Sequence, residues 1–226
     1  ALYTKRYNNP YVVNHKPEEG SVIFLPETMS DIFHYSSLTE NCKTIFFVWM
    51  SVNFYFSTVS EKKLNLFPSN LIHLVQSEYS KDYLLNFAKV KEDKILPLVD
   101  YISNEFLLSV PDTLKQNIIT FQDSKASYFL KDVLLELRER GREENTKIIN
   151  FKDMTTEQII EVLKNSKVFL NLGFNPGMDR MNREAVVLNN CVISSSQGSG
   201  FYKEDVPMDD KYKFYPIKDN IKDTVV

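Results

Sequence analysis

The sequence is poor in glycine and cysteine, and it has no long hydrophobic run. Six glycines and two cysteines occur among its 226 residues. Cys42 and Cys191 are far apart and form no Cys-x-x-Cys pair, and His15, His34 and His73 are equally scattered. No metal-ligand spacing is therefore present. We expect two reduced, buried thiols, which favours a cytoplasmic protein, with an accidental disulfide as the alternative.

The longest apolar stretch, from Ile45 to Met50, has the length of a strand. It is far shorter than the roughly 20 residues that cross a bilayer. The net charge is −3 with both signs mixed along the chain, which gives no electrostatic reason to expect a nucleic-acid partner. Basic clusters such as Lys62-Lys63 predict solvated surface and leave open a weak peripheral contact with an anionic membrane. The sequence begins at Ala1 without a signal-peptide pattern, and we expect residues to be missing at both ends.

Short β-branched or aromatic runs alternate with helical stretches along the chain. Several runs are apolar on both faces, as in strands of a parallel sheet that helices cover on each side. The predicted strands are Val22–Leu25, Thr44–Val48, Leu71–Val75, Lys94–Val99, Asn117–Phe121, Lys147–Phe151, Lys167–Leu172 and Cys191–Ser195. Four helices are predicted: Ser77–Ala88, Lys125–Arg140, one that starts at Thr155, and Arg180–Asn189. Ser77 is the predicted N-cap of the first helix, and Gly141 is the predicted end of the second.

This alternation predicts βαβ units and doubly wound parallel sheets. Turn-forming residues between positions 100 and 116 separate two periodic regions. We therefore predict two α/β lobes, residues 1–105 and residues 106–226, with a cleft between them.

Two of the six glycines, Gly173 and Gly177, directly follow a predicted buried strand. Glycine lets backbone N–H groups come close to a ligand and adopt positive φ. The loop leads into a helix, whose N-terminus favours an anion such as a diphosphate. A second polar loop, residues 194–200, holds two more glycines after the next strand. The two loops predict a site for a polar ligand at the carboxyl ends of the strands.

Charged residues in the first turns of that helix suit a nucleotide. Arg180 and Arg183 lie three apart, which predicts a shared helix face and a clamp for phosphate. Glu184 is suited to accept hydrogen bonds from ribose hydroxyls. The alternative is a plain strand–glycine–helix connection with a solvated first turn that binds nothing.

The same residues resemble a known family. Arg183-Glu184-Ala185, Asn190-Cys191-Val192-Ile193 and Gln197-Gly198-Ser199 resemble the E-A…G-x-P-V-I…G segment of GT-B glycosyltransferases. Residues 173–185 are similar to the G-x-H-P-G-K-D-R-x-P-R-E-A segment of a bacterial polysaccharide-associated subfamily. Residues 49–56, 73–79 and 98–101 also fit that subfamily, so the resemblance covers roughly residues 20–215.

The resemblance implies two Rossmann-like lobes of the GT-B type, with the N-terminal lobe incomplete in this sequence. It implies transfer of a sugar from a nucleotide-diphosphate donor to a glycan or lipid-linked glycan in surface polysaccharide synthesis. The expected place is the bacterial cytoplasm or the inner face of the membrane. No metal and no cofactor besides the nucleotide-sugar substrate are expected.

The resemblance also implies roles for individual residues. Glu184 matches the glutamate that binds the donor ribose, and Lys125 matches a lysine in the segment Y-N-P-K-K-G. Lys125 and Arg180 would counter the charge that develops on the leaving diphosphate. The residues matched to donor binding are Gly173, Asn175, Gly177, Asp179, Arg183, Glu184, Gln197, Gly198 and Ser199.

The chain departs from the family pattern at several positions. Pro176 stands where many retaining GT-B enzymes carry a second glutamate, eight residues before Glu184. The subfamily's histidine, lysine, proline and glycine are replaced by Asn175, Met178, Asn182 and Ala126. These departures leave open the donor, the stereochemistry and whether activity is retained.

In the first lobe, Glu27 and Asp31 follow the first predicted strand. One of them, for which we select Glu27, is a candidate general base for the acceptor hydroxyl, with a turn carboxylate or helix cap as the alternative. We expect Trp49 to pack in the core and His73 to be a hydrogen-bonded core histidine.

Two other functions stay open at this point. One is a non-catalytic, degenerate glycosyltransferase module that binds nucleotide or glycan. The other is a different doubly wound nucleotide-sugar enzyme, such as an epimerase. The sequence names neither the base, the sugar, the acceptor, the linkage nor the oligomeric state.

Overall fold

The computed structural model describes residues 17–29, 40–52, 68–112, 114–122 and 128–224. Two sheets with all strands parallel organise these residues. The first has the order β1-β2-β3-β4, with β1 at Ser21–Pro26, β2 at Cys42–Trp49, β3 at Leu71–Val75 and β4 at Ile95–Pro97. Between β3 and β4 lie helix α1, Glu78–Asp82, a π turn, Tyr83–Phe87, and a 3₁₀ turn, Glu92–Lys94.

The second sheet has the order β6-β5-β7-β8-β9. Its strands are β5 at Gln116–Phe121, β6 at Lys147–Asn150, β7 at Ser166–Asn171, β8 at Cys191–Ser195 and β9 at Lys213–Phe214. Among the described residues, five helices accompany this sheet: α2 at Asn104–Leu107, α3 at Tyr128–Glu139, α4 at Thr156–Asn165, α5 at Arg180–Val187 and α6 at Ile221–Thr224. Short 3₁₀ turns lie at Arg142–Asn145, Ser199–Phe201, Asp210–Tyr212 and Lys218–Asn220.

The predicted α/β class is confirmed, and each of the eight predicted strands is present. The strand predicted at Lys94–Val99 is shorter. Its partner β3 ends at Val75, opposite Pro97, and the pairing closes with a hydrogen bond from the Leu98 N–H to the Val75 carbonyl. Three elements were not predicted. The two residues of β9 and the four of α6 are too few to show a period, and α2 lies in a stretch that was predicted to form turns.

Helices cover both faces of the second sheet, which explains why its strands are apolar on both faces. On one face, Leu163 of α4 and Leu188, the C-cap of α5, pack against Phe169. On the other face, Phe129 and Val133 of α3 pack with Leu170. A separate core in the first lobe contains the fully buried residues Ile45, Phe47, Trp49 and Leu84.

The segment between the sheets belongs to the second core. Ile102 and Phe106 pack in the cluster formed by α4 and α5, so α2 is held by the second lobe. The four strands of the first sheet precede residue 98, and the five of the second follow residue 115. The predicted boundary at residues 105 and 106 falls inside α2, and the division into two domains stays a prediction.

The helix ends follow the signals in the sequence. Ser77 caps α1 by accepting from the N–H of Ser80, as predicted. Thr155 and Gln158 form a reciprocal capping box at the start of α4. Gly141, beyond α3, has a φ of 66°, which glycine adopts without steric cost.

Trp49 and His73 are core residues, as predicted. Trp49 is fully buried, and its Nε1 donates a 3.0 Å hydrogen bond to Nδ1 of His73. Burial lowers the pKa of His73 to about 3. The imidazole is therefore neutral at physiological pH, as a hydrogen-bond acceptor must be.

The two cysteines are free, as expected, but only Cys42 is buried. Cys191 is exposed, which corrects the expectation of two buried thiols. It begins β8 at the edge of the packed region, where its side chain faces outward. Within the described residues, no helix is long and apolar enough to span a membrane.

Lys115, just before β5, ties together the ends of two helices. Its Nζ donates to the backbone oxygens of Leu163, Lys164, Ser166 and Leu188, at 2.9, 3.2, 2.8 and 2.6 Å. One ammonium thus satisfies carbonyl groups that α4 and α5 leave without intrahelical partners. Burial lowers the pKa of Lys115, with a smaller opposing effect from Asp112.

We predict that Lys115→Met destabilises the protein by about 2–3 kcal/mol, because buried carbonyls at two helix ends lose a charged donor. Urea denaturation at pH 7 measures this free energy of unfolding. Lys147→Met, at an exposed lysine of β6, is the control and should change it by no more than about 0.5 kcal/mol. Equal effects of the two substitutions would remove Lys115 from this role.

A second prediction concerns acid stability. The folded-state pKa of His73 lies below its unfolded value, so the unfolded state binds a proton first as the pH falls below about 6.5. Stability should decline by up to about 1.4 kcal/mol per pH unit from this group between pH 6.5 and its folded pKa. His73→Gln keeps an acceptor for Trp49 but does not titrate, so its unfolding free energy should fall less between pH 7 and pH 5. An unchanged slope would contradict this account.

Candidate functional site

The order of the second sheet marks one place for a ligand. The chain passes from β5 to β6 on one side and from β7 to β8 on the other, so β5 and β7 are neighbours whose connections leave in opposite directions. In open α/β sheets ligands bind outside the carboxyl ends of such a strand pair. Residue 122 follows β5, and residues 172–179 follow β7. The predicted glycine loop therefore lies at the switch point of the sheet.

A buried network of polar side chains supports the 172–179 loop. Nδ2 of Asn171, the last residue of β7, donates to Asn175 Oδ1 at 3.2 Å, to Asp179 Oδ2 at 2.7 Å and to Asn182 Oδ1 at 2.9 Å. Asn182 then donates to Ser194 Oγ at 3.4 Å. Asp179 also caps α5 through the N–H of Met181. Asn175 and Asp179, predicted as donor ligands, thus lie beneath the loop, where they hold its shape.

The second predicted loop packs directly on the first. Asn175 pairs with Gly198 as an isolated parallel bridge, and its carbonyl accepts from Ser199 N–H at 2.8 Å. Ser199 Oγ donates to the carbonyl of Gly177 at 2.7 Å. Gly198 has a φ of 60°, and a Cβ there would clash with the Asn175 carbonyl oxygen. The structure thus brings Asn175, Gly177, Gly198 and Ser199 together, as the sequence predicted for the two loops. Gln197 lies in the same turn, half-buried, with its N–H bonded to Ser195 Oγ.

The glycine loop also contacts the first lobe. A Cβ on Gly177 would clash with the carbonyl oxygen of Met50, just after β2. Val52 N–H donates to the carbonyl of Pro176 at 3.2 Å. We name residues 50–52 together with residues 176–177 the lobe joint. Gly177 is needed there for close approach of protein backbone. Its φ is not positive, which corrects that expectation, whereas the approach of the loop to a ligand stays a prediction.

Helix α5 presents the charged residues of the site. Arg180 Nε forms a 3.0 Å ion pair with Glu184 Oε1, with the Arg180 side chain 58% exposed and that of Glu184 4% exposed. Burial raises the pKa of Glu184, while the Arg180 charge acts in the opposite direction. The site therefore holds a carboxylate whose charged form is costly and whose nearest cation lies at the solvent side.

Arg183 also has a partner outside α5, and the predicted phosphate clamp with Arg180 stays a prediction. Its Nη1 donates a 2.6 Å hydrogen bond to the backbone carbonyl of Asp100, in the segment between the lobes. Its Nε and Nη2 are buried and have no hydrogen-bond partner among the described residues. Buried guanidinium donors without acceptors are rare, because they lose hydration without compensation. An anion at this position would satisfy them.

The interface between the lobes extends beyond the lobe joint. The segment that follows β3 in the first lobe contacts segments that follow β7 and β8 in the second lobe. The carboxylate of Asp205 accepts from the N–H groups of Glu78 and Tyr79 at 2.8 and 3.1 Å, at the start of α1. The ring of Tyr79 lies 6.2 Å from those of Phe174 and Tyr202. The carboxyl ends of the two sheets therefore face each other, as the two-lobed prediction requires.

A cavity of about 310 Å³ opens between the lobes. Lys81 and Glu92 line it from the first lobe, and Met178, Glu204 and Asp205 from the second. Carboxylates outnumber the single lysine, which disfavours a diphosphate in this space. A larger groove, of about 410 Å³ between α3 and β6, contains none of the predicted site residues.

Glu27 lies at the end of β1 and is fully buried. Its Oε2 accepts from the Ser51 N–H at 2.9 Å, and its Oε1 accepts from Ser51 Oγ at 2.8 Å. The carboxylate is shielded from solvent in this arrangement. The role of Glu27 as a general base stays a prediction, and its geometry does not favour that role.

The positions of the remaining predicted residues need only a brief description. Gly173 is buried in the loop. Lys125 and Asp31 lie outside the described residues, and by sequence Lys125 belongs to the segment that follows β5. Among the described residues no group of three or more His, Cys, Asp or Glu could hold a metal ion. Independence from metal stays a prediction.

Some residues of the site were not predicted. Asn171, Ser194 and Asn182 form the support of the loop, and Ser51 and Asp205 hold the interface. Asn171 carried a signal, since it is an amide at the end of an otherwise apolar strand. Ser51 and Asp205 carried none, because their partners are distant in sequence.

Two parallel-sheet lobes with apposed carboxyl ends, and a switch-point loop leading into a charged helix, define a two-lobed Rossmann-like protein. No protein-family model and no curated protein matches the sequence. Among solved structures, a glycosyltransferase from Rickettsia africae ESF-5 matches with a TM-score of 0.62 and 14% identity, over 99% of this chain and 66% of that chain. TarM matches with a TM-score of 0.62 and 14% identity, over 91% of this chain and 46% of that chain.

At this identity the likeness concerns the fold, and the fold is that of glycosyltransferases, as the resemblance in the sequence implied. The chain spans about two thirds of the Rickettsia protein and less than half of TarM.

We predict that Gly177→Ala forces the lobe joint apart, because its methyl group would occupy the place of the Met50 carbonyl oxygen. The expected cost is about 1–3 kcal/mol of unfolding free energy, together with faster amide hydrogen exchange at residues 50–52. Gly200→Ala is the control, since its methyl group would meet the Ser195 carbonyl oxygen inside the second lobe. It should be destabilising without changing exchange at residues 50–52, and the same exchange pattern in both variants would contradict the joint.

Proposed function

We propose that this protein is a glycosyltransferase that moves a sugar from a nucleotide-diphosphate donor to a glycan acceptor. The observation that carries the proposal is the switch point between β5 and β7, whose loop leads into α5 with Arg183 and Glu184. The likeness of the fold to a glycosyltransferase supports the same reading. A role in surface polysaccharide synthesis rests on the sequence resemblance.

The donor would bind along α5. Glu184 would accept hydrogen bonds from the ribose hydroxyls, and its ionised carboxylate is the better acceptor for them. The unpaired Nε and Nη2 of Arg183 would donate to the diphosphate, with Arg180 adding charge from the solvent side. Lys125 would neutralise charge on the leaving diphosphate as the glycosidic bond breaks. Fixed donors and cations of this kind need no metal to stabilise that charge.

The acceptor would enter from the cavity between the lobes, which adjoins the glycine loop at Met178. Its net negative lining suits an uncharged sugar better than a phosphate. The donor diphosphate and the acceptor would then meet at the loop from opposite sides. Direct transfer requires such an arrangement, with the reacting atoms about 3–3.5 Å apart.

A thermal-shift screen against UDP, GDP, CMP, dTDP and ADP tests the donor site. We expect one nucleotide to raise the Tm, because a ligand that binds the folded state stabilises it. Glu184→Gln should abolish the shift. Its own Tm without nucleotide should equal or exceed that of the wild type at pH 7, because a neutral amide removes the cost of a buried charge.

Glu161→Gln, at an exposed glutamate of α4, is the matched control and should keep the shift. Nucleotide affinity of the wild type should also fall as the pH is lowered through the raised pKa of Glu184, and this dependence should be absent in Glu184→Gln. No shift with any nucleotide, in a folded sample, would reject the donor site. A shift that Glu184→Gln preserves would move the site away from α5.

A binding module without turnover is the second candidate. Its support is the burial of Asn175 and Asp179 and the contact of Gly177 with protein backbone, which leave less of the loop open to a donor. Release of nucleoside diphosphate from the matching nucleotide-sugar decides between the two. Release that depends on an added glycan supports transfer, whereas tight nucleotide binding without release supports the module.

A further inference from the structure

The lobe joint has a support in the first lobe that no catalytic role explains. Glu27 is buried, and both its carboxylate oxygens are engaged by Ser51, one by the backbone N–H and one by the hydroxyl. A carboxylate is costly to bury unless it is hydrogen-bonded, and Ser51 supplies these hydrogen bonds to Glu27. Ser51 is the middle residue of the 50–52 segment. Glu27 therefore holds the part of the first lobe that touches the glycine loop.

The contacts continue across the interface without a gap. On one side of Ser51, the Met50 carbonyl oxygen fills the space beside Gly177. On the other side, the Val52 N–H donates to the Pro176 carbonyl. Two successive residues of the loop are thus held by two residues that flank Ser51. All of these are backbone contacts, so they depend on where the 50–52 segment lies rather than on its side chains.

Beyond the joint the loop is held from its other side. Ser199 donates its hydroxyl to the Gly177 carbonyl at 2.7 Å and its N–H to the Asn175 carbonyl at 2.8 Å. The loop then ends at Asp179, the N-cap of α5. Residues 176–177 thus lie directly before the start of the helix that carries Arg183 and Glu184, and a shift of these residues would act on that start.

We propose that Glu27 is a positioning residue: by holding Ser51 it presses the 50–52 segment against Pro176 and Gly177 and sets the affinity of the α5 site for nucleotide. The last part of this statement rests on the proposed function, whereas the coupling between the lobes does not. A loop that is ordered before binding costs less to order during binding, which is how the joint acts on affinity.

The coupling is measured first, without any ligand, by amide hydrogen exchange of the full chain. Glu27→Ala should accelerate exchange at residues 50–52 and also at residues 174–179 in the other lobe. Leu84→Ala is the matched control, because it opens the same first core at a fully buried position outside the joint. It should accelerate exchange in the first lobe alone. Acceleration confined to the first lobe in Glu27→Ala would overturn the proposal.

Affinity is measured next, with the nucleotide identified in the thermal-shift screen. Glu27→Ala should weaken binding about tenfold or more, and Glu27→Gln should restore most of it, since an amide can still bond the Ser51 N–H and hydroxyl. Ser51→Ala keeps the carboxylate and the backbone contact, so it should weaken binding only about two- to threefold. This variant serves if Glu27→Ala does not fold. Leu84→Ala should leave affinity unchanged.

The outcomes separate the two proposals. If Glu27→Ala accelerates exchange in both lobes but the wild-type protein binds no nucleotide, the coupling through the lobe joint is supported and the proposed function is rejected. Nucleotide affinity that is equal in wild type, Glu27→Ala and Ser51→Ala overturns the role of Glu27 at the site. A loss of transfer of about 10²-fold or more in Glu27→Gln, at unchanged nucleotide affinity, would assign Glu27 to proton transfer and overturn the positioning role.

Discussion

The close approach of the Gly177 backbone to the Met50 carbonyl is the contact on which the arrangement of the two lobes depends. Any side chain at position 177 would separate the segment after β2 from the loop after β7. Because Val52 and Pro176 bond within the same contact, the loop is placed by backbone groups of the opposite lobe. The position of α5, and of every charged group on it, follows from that placement.

Polar groups inside this protein fall into two kinds. Lys115 and Asn171 bond fully to their surroundings and serve the fold, closing helix ends and shaping a loop. Glu184 and Arg183 are less well satisfied, one with a raised pKa and the other with two unpaired nitrogens. Groups of the second kind cost stability in the unliganded protein. Costs of that sort concentrate at binding sites, where a ligand offsets them.

Much of the fold was predictable because patterns within short stretches of sequence determine it. The strand runs are apolar on both faces, and the caps at Ser77 and Gly141 obey short-range rules. The location of the site was predictable for a related reason, since glycines after a strand and before a helix mark a switch-point loop. Contacts between distant residues were not predictable. Helix spacing placed Arg183 near Arg180, but it gave no sign of the hydrogen bond from Arg183 to the carbonyl of Asp100, 83 residues away.

The sequence by itself determined the two α/β lobes, the carboxyl-end loops and the identity of the charged residues on α5, because periodicity and turn chemistry act over a few residues. Only the tertiary structure decided what those residues do. It turned Asn175 and Asp179 inward, gave Gly177 a protein carbonyl as its neighbour, and joined Glu27 to Ser51. Such contacts join residues from different elements, and their geometry exists only after both sheets have formed and their carboxyl ends have met.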